Sequence, residues 1–176
     1  DYRPEKKVLM QAPKNGFLYV IDRQTGKLIG ADKFSKSNWA SKIDLETGRP
    51  VMGEAADYQK RPKHLWPGPI GAHNWQAMAY SPKQKLVFIP EMQHGATYIK
   101  SEMPNLRENF LNLSIITTYD QIDPNDGTGS IVAMDPVTLK PKWKVQHDSF
   151  WNGGILATEG DLVFQGTADG EFAAYS

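Results

Sequence analysis

Short apolar runs, each closed by turn residues, set the pattern of the chain: Val8-Leu-Met10, Phe17-Leu-Tyr-Val-Ile21, Leu86-Val-Phe-Ile89, Ile131-Val-Ala-Met134, Leu162-Val-Phe164 and Phe172-Ala-Ala-Tyr175. Runs this short, rich in β-branched and aromatic residues, predict strands. Two of them open the same frame. Gly16 is followed by Asp22, Thr25 and Lys27, and Gly129 with identical spacing by Asp135, Thr138 and Lys140. The second half of the frame returns at Ile43, Asp44, Thr47, Gly48 and Arg49, and Gly170 begins it again with Phe172 and Tyr175.

Each copy describes a hairpin: a strand, a turn in which Asp or Thr bonds its own backbone and Gly supplies positive φ, then a second strand. One hairpin cannot bury its apolar face alone, so repetition predicts units packed face to face. Gly129 to Gly170 spans 41 residues, within the roughly 40–45 of a four-stranded propeller blade. Gly16 to Gly129 spans 113, which fits two blades and an insertion. The fold expected is all-β.

Between the strands lie two long excursions. Ala31 to Pro69 carries little strand signal, but its Trp39, Tyr58 and Trp66 require something to pack on, which predicts a functional loop over a linker. Tyr98 to Asp126 is the second, with leucine spacing over Pro104 to Leu113 that suits one short helix. Pro90 is expected to end its strand or to lie on an edge. Trp143 is the large side chain expected to dock one blade onto the next.

At 176 residues and 40% hydrophobic, the length suits one domain with a core. Twenty basic and twenty acidic residues cancel, so charge gives no argument for nucleic acid or an anionic membrane. No apolar run approaches the roughly 20 residues that span a bilayer. The N-terminal residues are no signal peptide, so any targeting segment lies upstream or has been removed. With no cysteine there is no disulfide, thiolate metal site or covalent haem attachment in these residues.

The candidate chemistry is concentrated in loops. Ala12-Pro-Lys-Asn-Gly16 closes on Asn-Gly, a strong hairpin signal, and places Lys14 at the tip, where local sequence reads it as a solvated turn lysine. Gly68-Pro-Ile-Gly-Ala-His-Asn-Trp75 is the most unusual run: its two glycines let backbone approach something closely. His73 and Asn74 there satisfy loop backbone with Trp75 as a plug between blades, or the run is a ligand-binding loop. His73 and His94 lack a further partner at metal-ligand spacing. Asp123 to Gly127 is an acidic turn without the later glutamate of a helical calcium loop. Asn112-Leu-Ser114 has the pattern of a glycosylation sequon, as chance readily produces.

Val8-Leu-Met-Gln-Ala-Pro-Lys-Asn-Gly-Phe17, Gly71-Ala-His-Asn-Trp75, and Trp151-Asn-Gly-Gly154 with Phe164-Gln-Gly-Thr-Ala-Asp-Gly170 together resemble the quinoprotein alcohol dehydrogenases that use pyrroloquinoline quinone. The resemblance covers most of the chain, in the family's order. It implies about three four-stranded blades of an eight-bladed β-propeller with long loops, residues 1–176 being a partial domain incomplete at both ends. Carried over residue by residue, the family's quinone-contacting lysine falls on Lys14 and its Asn-Trp pair beside the ring on Asn74 and Trp75. Trp151 and Asn152, at a matching loop, line the same channel.

The resemblance also implies what this segment lacks. The family's catalytic aspartate, its calcium ligands and its vicinal disulfide lie upstream, so no catalytic base and no metal ligand is assigned; Asp22, Asp44 and Asp135 are turn residues. The whole protein is expected to be a periplasmic enzyme that oxidises a small alcohol to an aldehyde and passes electrons to an acceptor such as a cytochrome c. A haem c domain in the missing part stays open, and the segment alone is not expected to be active. The competing reading is a non-catalytic propeller scaffold for protein partners, of the outer-membrane assembly lipoprotein type. Lys14 with Asn74 and Trp75 separates the two, because a scaffold has no use for that trio.

Overall fold

The computed structural model describes residues 7–101 and 115–176. The first strands, β1 (Val8–Gln11), β2 (Phe17–Asp22) and β3 (Leu28–Lys33), form an antiparallel sheet in sequence order. A hairpin of β4 (Ala40–Ile43) and β5 (Pro50–Met52) follows, then β6 (Lys63–Leu65). Next come β7 (Ala79–Ser81), β8 (Leu86–Gln93), β9 (Ala96–Lys100), β10 (Ile115–Thr118), β11 (Thr128–Asp135) and β12 (Lys140–His147). The last are β13 (Ile155–Ala157), β14 (Val163–Gly166) and β15 (Phe172–Tyr175), again a sheet in sequence order. The central sheet runs β12-β11-β8-β7, and β10-β9-β6 is a smaller sheet built from both excursions. The only helical element among the described residues is a 3-10 turn at Glu54–Ala56.

Alternation along the central sheet shows how the sheets stack. Val87, Ile89, Val132 and Met134 face the first sheet and bury with Ala12, Leu18 and Phe34. Phe88, Ile131 and Ala133 face the other way and bury with Ile155 and Val163 of the last sheet. A strand's side chains alternate between faces, so one sheet is apolar on both sides and serves two neighbours. That is the blade arrangement expected from the repeat, with sheets of three, four and three strands. Trp143 packs on Phe88 with ring centroids 5.6 Å apart, on the side of the last sheet, and so contributes to docking the two blades.

The repeated turns share one geometry. Oδ1 of Asp22 accepts from the N–H of Gln24 and Thr25, that of Asp44 from Glu46 and Thr47, and that of Asp135 from Val137 and Thr138. The fifth residue of each turn has positive φ: Gly26, Gly48 and, in the third copy, Leu139. A further copy sits at Ser81, whose Oγ accepts from Gln84 N–H and whose fifth residue, Lys85, also has positive φ. The strands before and after two of these turns carry a register shift at the same place, Val20/Ile21 and Ala133/Met134.

Those equivalences correct the blade count between Gly16 and Gly129. Both glycines open the strand that leads into the repeated turn, β2 and β11, and the sheets that hold those strands are in contact, so the interval is a single blade step lengthened by the two excursions. Pro90 does not end its strand but lies on a local edge, the second of the two expected places. It lies inside β8, paired with Ile131 of β11. It is tolerated because β7 pairs only with Leu86 to Phe88, leaving that side of Pro90 without a ladder to complete. β7 begins only at Ala79, and just before it Ala77 O accepts the N–H of Ile155, 2.8 Å away. The helix expected at Pro104 to Leu113 and the Asn112 sequon lie outside the described residues.

Candidate functional site

The loop between β1 and β2 presents Lys14. Asn15 fixes its shape: Oδ1 accepts the N–H of Phe17 at 3.1 Å, Nδ2 donates to the Tyr19 hydroxyl at 2.8 Å, and the carbonyl accepts the Trp39 indole N–H at 2.8 Å. Gly16 turns the chain at φ +87° with Pro67 packed over it. Lys14 itself is exposed, and its ammonium reaches one described acceptor, Pro69 O at 3.4 Å.

The loop from Gly68 to Trp75 lies against that turn. Gly71 abuts the Lys14 stem so closely that a Cβ would stand 2.6 Å from the lysine's Cβ and Cγ. The next residue, Ala72, donates its N–H to Lys14 O at 2.9 Å, and its own carbonyl accepts from Met92 in the central blade at 2.7 Å. Asn74 Nδ2 donates to Ile70 O at 3.1 Å, while its Oδ1 accepts no bond among the described residues. His73 and Asn74 thus do satisfy loop backbone, but Trp75 is no plug: it is 67% exposed.

Trp75 meets Trp151 of the third blade edge to face, with ring centroids 6.2 Å apart. The aromatic row continues from Trp151 through Phe150 and His94 to Tyr119. Asn152 has a different place. It is buried, with Nδ2 donating to Ser149 O at 2.7 Å and Oδ1 accepting the Ala168 N–H at 3.0 Å, so its amide is taken up in holding the Trp151 loop.

Beside Lys14 opens a cleft of about 420 Å³ walled by Trp39, Met52, Tyr58, Leu65, Pro67 and Tyr98. Among the described residues of that lining, Lys14 is the only charged one. Burial, and then the neighbouring phenols of Tyr119 and Tyr58, hold the Tyr98 hydroxyl above the usual tyrosine range, so it stays a neutral donor. Behind the cleft, burial pushes His64 below its usual value against the opposing pull of Asp126 and Asp120. The carboxylate of Asp126 accepts the Trp66 indole N–H at 2.7 Å, and Lys36 lies 3.8 Å over the Trp66 ring. Asp123 to Gly127 is therefore a turn tied to the loop beneath it; the described residues hold no group of three or more acidic, His or Cys side chains arranged for a metal.

The cleft walls from Trp39, Tyr58 and Tyr98 were not legible as site residues. Their only sequence signal was aromatic residues standing in excursions without strand pattern, and the partners they needed come from segments far away in the chain.

Along its whole length the chain is 47% identical, over 178 residues, to quinohemoprotein alcohol dehydrogenase ADH IIB of Pseudomonas putida, of which it covers 26%. Over its whole length the chain is similar to the quinoprotein alcohol dehydrogenases. The solved structure of quinohemoprotein alcohol dehydrogenase from Comamonas testosteroni matches 97% of it with a TM-score of 0.88 at 38% identity, using 26% of that chain. A europium-containing methanol dehydrogenase matches 95% with a TM-score of 0.79 at 28% identity, using 30% of that chain. No protein-family model matches the chain. The chain spans about a quarter of the length of the relatives it matches. Nothing among these quinoprotein relatives supports the scaffold reading.

Proposed function

We propose that these residues are part of a pyrroloquinoline quinone-dependent alcohol dehydrogenase, in which Lys14, Asn74, Trp75 and Trp151 face the cofactor and Asn152 holds the Trp151 loop. The observation that carries this is Lys14: among the described residues, an ammonium with a single long contact at the mouth of an otherwise uncharged cleft, its stem seated on the loop that presents Asn74. These groups fit a flat, polar, oxygen-rich heterocycle. A cation, an amide oxygen that is free among the described residues to accept, and two exposed indoles offer such a ring a charge, an acceptor and apolar faces.

Bound there, the quinone supplies a two-electron acceptor for oxidation of an alcohol to an aldehyde. Lys14 contributes a fixed positive charge where negative charge builds on an acceptor oxygen. Asn74 orients the edge of the ring, and the indoles of Trp75 and Trp151 exclude water from its surroundings. The aromatic cleft takes the apolar part of a small alcohol. The carboxylates of Asp22, Asp44 and Asp135 each accept backbone N–H bonds of their own turns, so none serves as base here.

The remainder of the proposal concerns the longer protein. Residues 1–176 are a partial propeller incomplete at both ends, and the outer face of the last blade supports this, with Leu156 and Phe172 62% and 75% exposed on a sheet whose opposite face is buried. Calcium, the catalytic aspartate and a haem c domain belong to the rest of that protein, which works in the periplasm with an electron acceptor such as a cytochrome c. Among the described residues no helix is long and apolar enough to cross a membrane.

Lys14→Ala in the full-length protein tests the reading. Quinone-dependent turnover should fall about 10²–10³-fold, the usual cost of removing a group that stabilises developing charge. Unchanged turnover would overturn the cofactor assignment.

A further inference from the structure

His73 stands between the two loops that carry the proposed cofactor contacts, and it is only 4% exposed. Its Nδ1 lies against the carbonyl oxygen of Ala12, 61 residues away in sequence, and its Nε2 is 2.7 Å from that of Gln76. Ala12 is two residues before Lys14, and Gln76 follows Trp75 directly. Both carbonyls are acceptors, so a ring with one N–H donates to one and packs against the other, standing between the Lys14 turn and the far end of the loop bearing Asn74 and Trp75. The Ala72 N–H closes the same junction from the other side through Lys14 O.

The alternative account of such a histidine is that it satisfies its own loop. Gln76 alone would fit that account; Ala12 belongs to another strand connection of another blade. A buried ring spanning two connections fixes their separation. Deleting it would leave the buried carbonyl that accepts its N–H without that partner and open the space between the two connections.

We infer that His73 is a positioning residue that sets Lys14 at its working distance from Asn74 and Trp75, and so controls how tightly the site holds the quinone. The inference rests on the cofactor reading above. It requires His73 and Lys14 to be energetically coupled toward the quinone although the ring does not reach the cleft.

The test is a double-mutant cycle on the full-length apoprotein, titrated with pyrroloquinoline quinone and followed by the quinone's absorption. Lys14→Ala and His73→Phe should each weaken binding about tenfold or more, while the double variant should bind no more than about threefold more weakly than Lys14→Ala, because contacting or shared-network residues are not additive. His73→Gln, whose amide retains two N–H donors, should recover part of the affinity. Fully multiplicative losses in the double variant, or quinone affinity unchanged in His73→Phe, would overturn the inference. Should His73→Phe fail to fold, the cycle is run with His73→Asn, whose shorter side chain does not span the two connections, and read by the same criteria. If Lys14→Ala alone leaves quinone affinity unchanged, the cofactor reading itself has failed and the inference falls with it.

Discussion

Gly71 gives Lys14 its seat: with φ at +92°, it brings its backbone onto the lysine stem where any Cβ would come within 2.6 Å of the Lys14 Cβ and 2.8 Å of its Cα. Two costs follow for Gly71→Ala, a strained left-handed conformation and a clash with the backbone-proximal part of Lys14. Gly26 separates them, since it has φ +74° with nothing within 4 Å of its would-be Cβ. Gly26→Ala should cost only the conformational term, about 1–2 kcal/mol. Gly71→Ala should cost about 1–3 kcal/mol more and should also weaken quinone binding. Denaturation midpoints of the two variants check the difference; equal midpoints would show that the Lys14 seat can yield.

Three tryptophans should divide by role. Trp75 and Trp151 are 67% and 43% exposed, whereas Trp143 packs on Phe88 in the cluster between two blades. Trp75→Ala should change stability by less than about 0.5 kcal/mol, as surface substitutions usually do, yet lower quinone retention. Trp143→Ala should lose about 3 kcal/mol and leave the quinone affinity of the folded protein intact. Paired melting and quinone titration of both variants decide it.

The turn aspartates make stability depend on pH in one direction. The backbone N–H and hydroxyl of Thr47 hold the Asp44 carboxyl below its ordinary value, and the Lys36 ammonium with the Asn125 N–H does so for Asp123. A carboxyl lowered in the folded state favours folding fully above its unfolded value, about pH 4. That contribution disappears as pH falls through the lower folded value. The melting difference between the wild type and Asp44→Asn should therefore be constant near neutrality and shrink below about pH 4. A difference that persists unchanged to pH 2 would contradict the assignment.

Residues 1–176 expressed alone should associate. The last blade turns Leu156 and Phe172 to solvent, and unpaired sheet edges recruit other chains. Gel filtration should show aggregate or a broad distribution, and a cooperative melt from a monomeric preparation would show the outer faces to be self-sufficient.

What the sequence makes legible is whatever is local. Asp22, Asp44 and Asp135 reveal their turns because each side chain bonds backbone two and three residues on. The Ser81 copy hides because serine replaces aspartate and lysine replaces glycine at the left-handed position, which the surrounding ladder enforces. The interval from Gly16 to Gly129 misleads because two excursions leave the blade and return without adding one. Lys14 reads as an ordinary turn lysine until the family resemblance is considered, since its seat on Gly71 is formed by a loop more than fifty residues away. Asn152 shows the converse: the motif marks it, but its amide is occupied by Ser149 and Ala168.

The most direct measurement is the quinone content of the purified full-length protein after incubation with pyrroloquinoline quinone and calcium, read from the absorption spectrum of the denatured material beside its intact mass. A mass several times 19.7 kDa with one quinone released per chain, lost in Lys14→Ala, is the result this account predicts. A protein that retains no quinone, or retains it equally without Lys14, would contradict it.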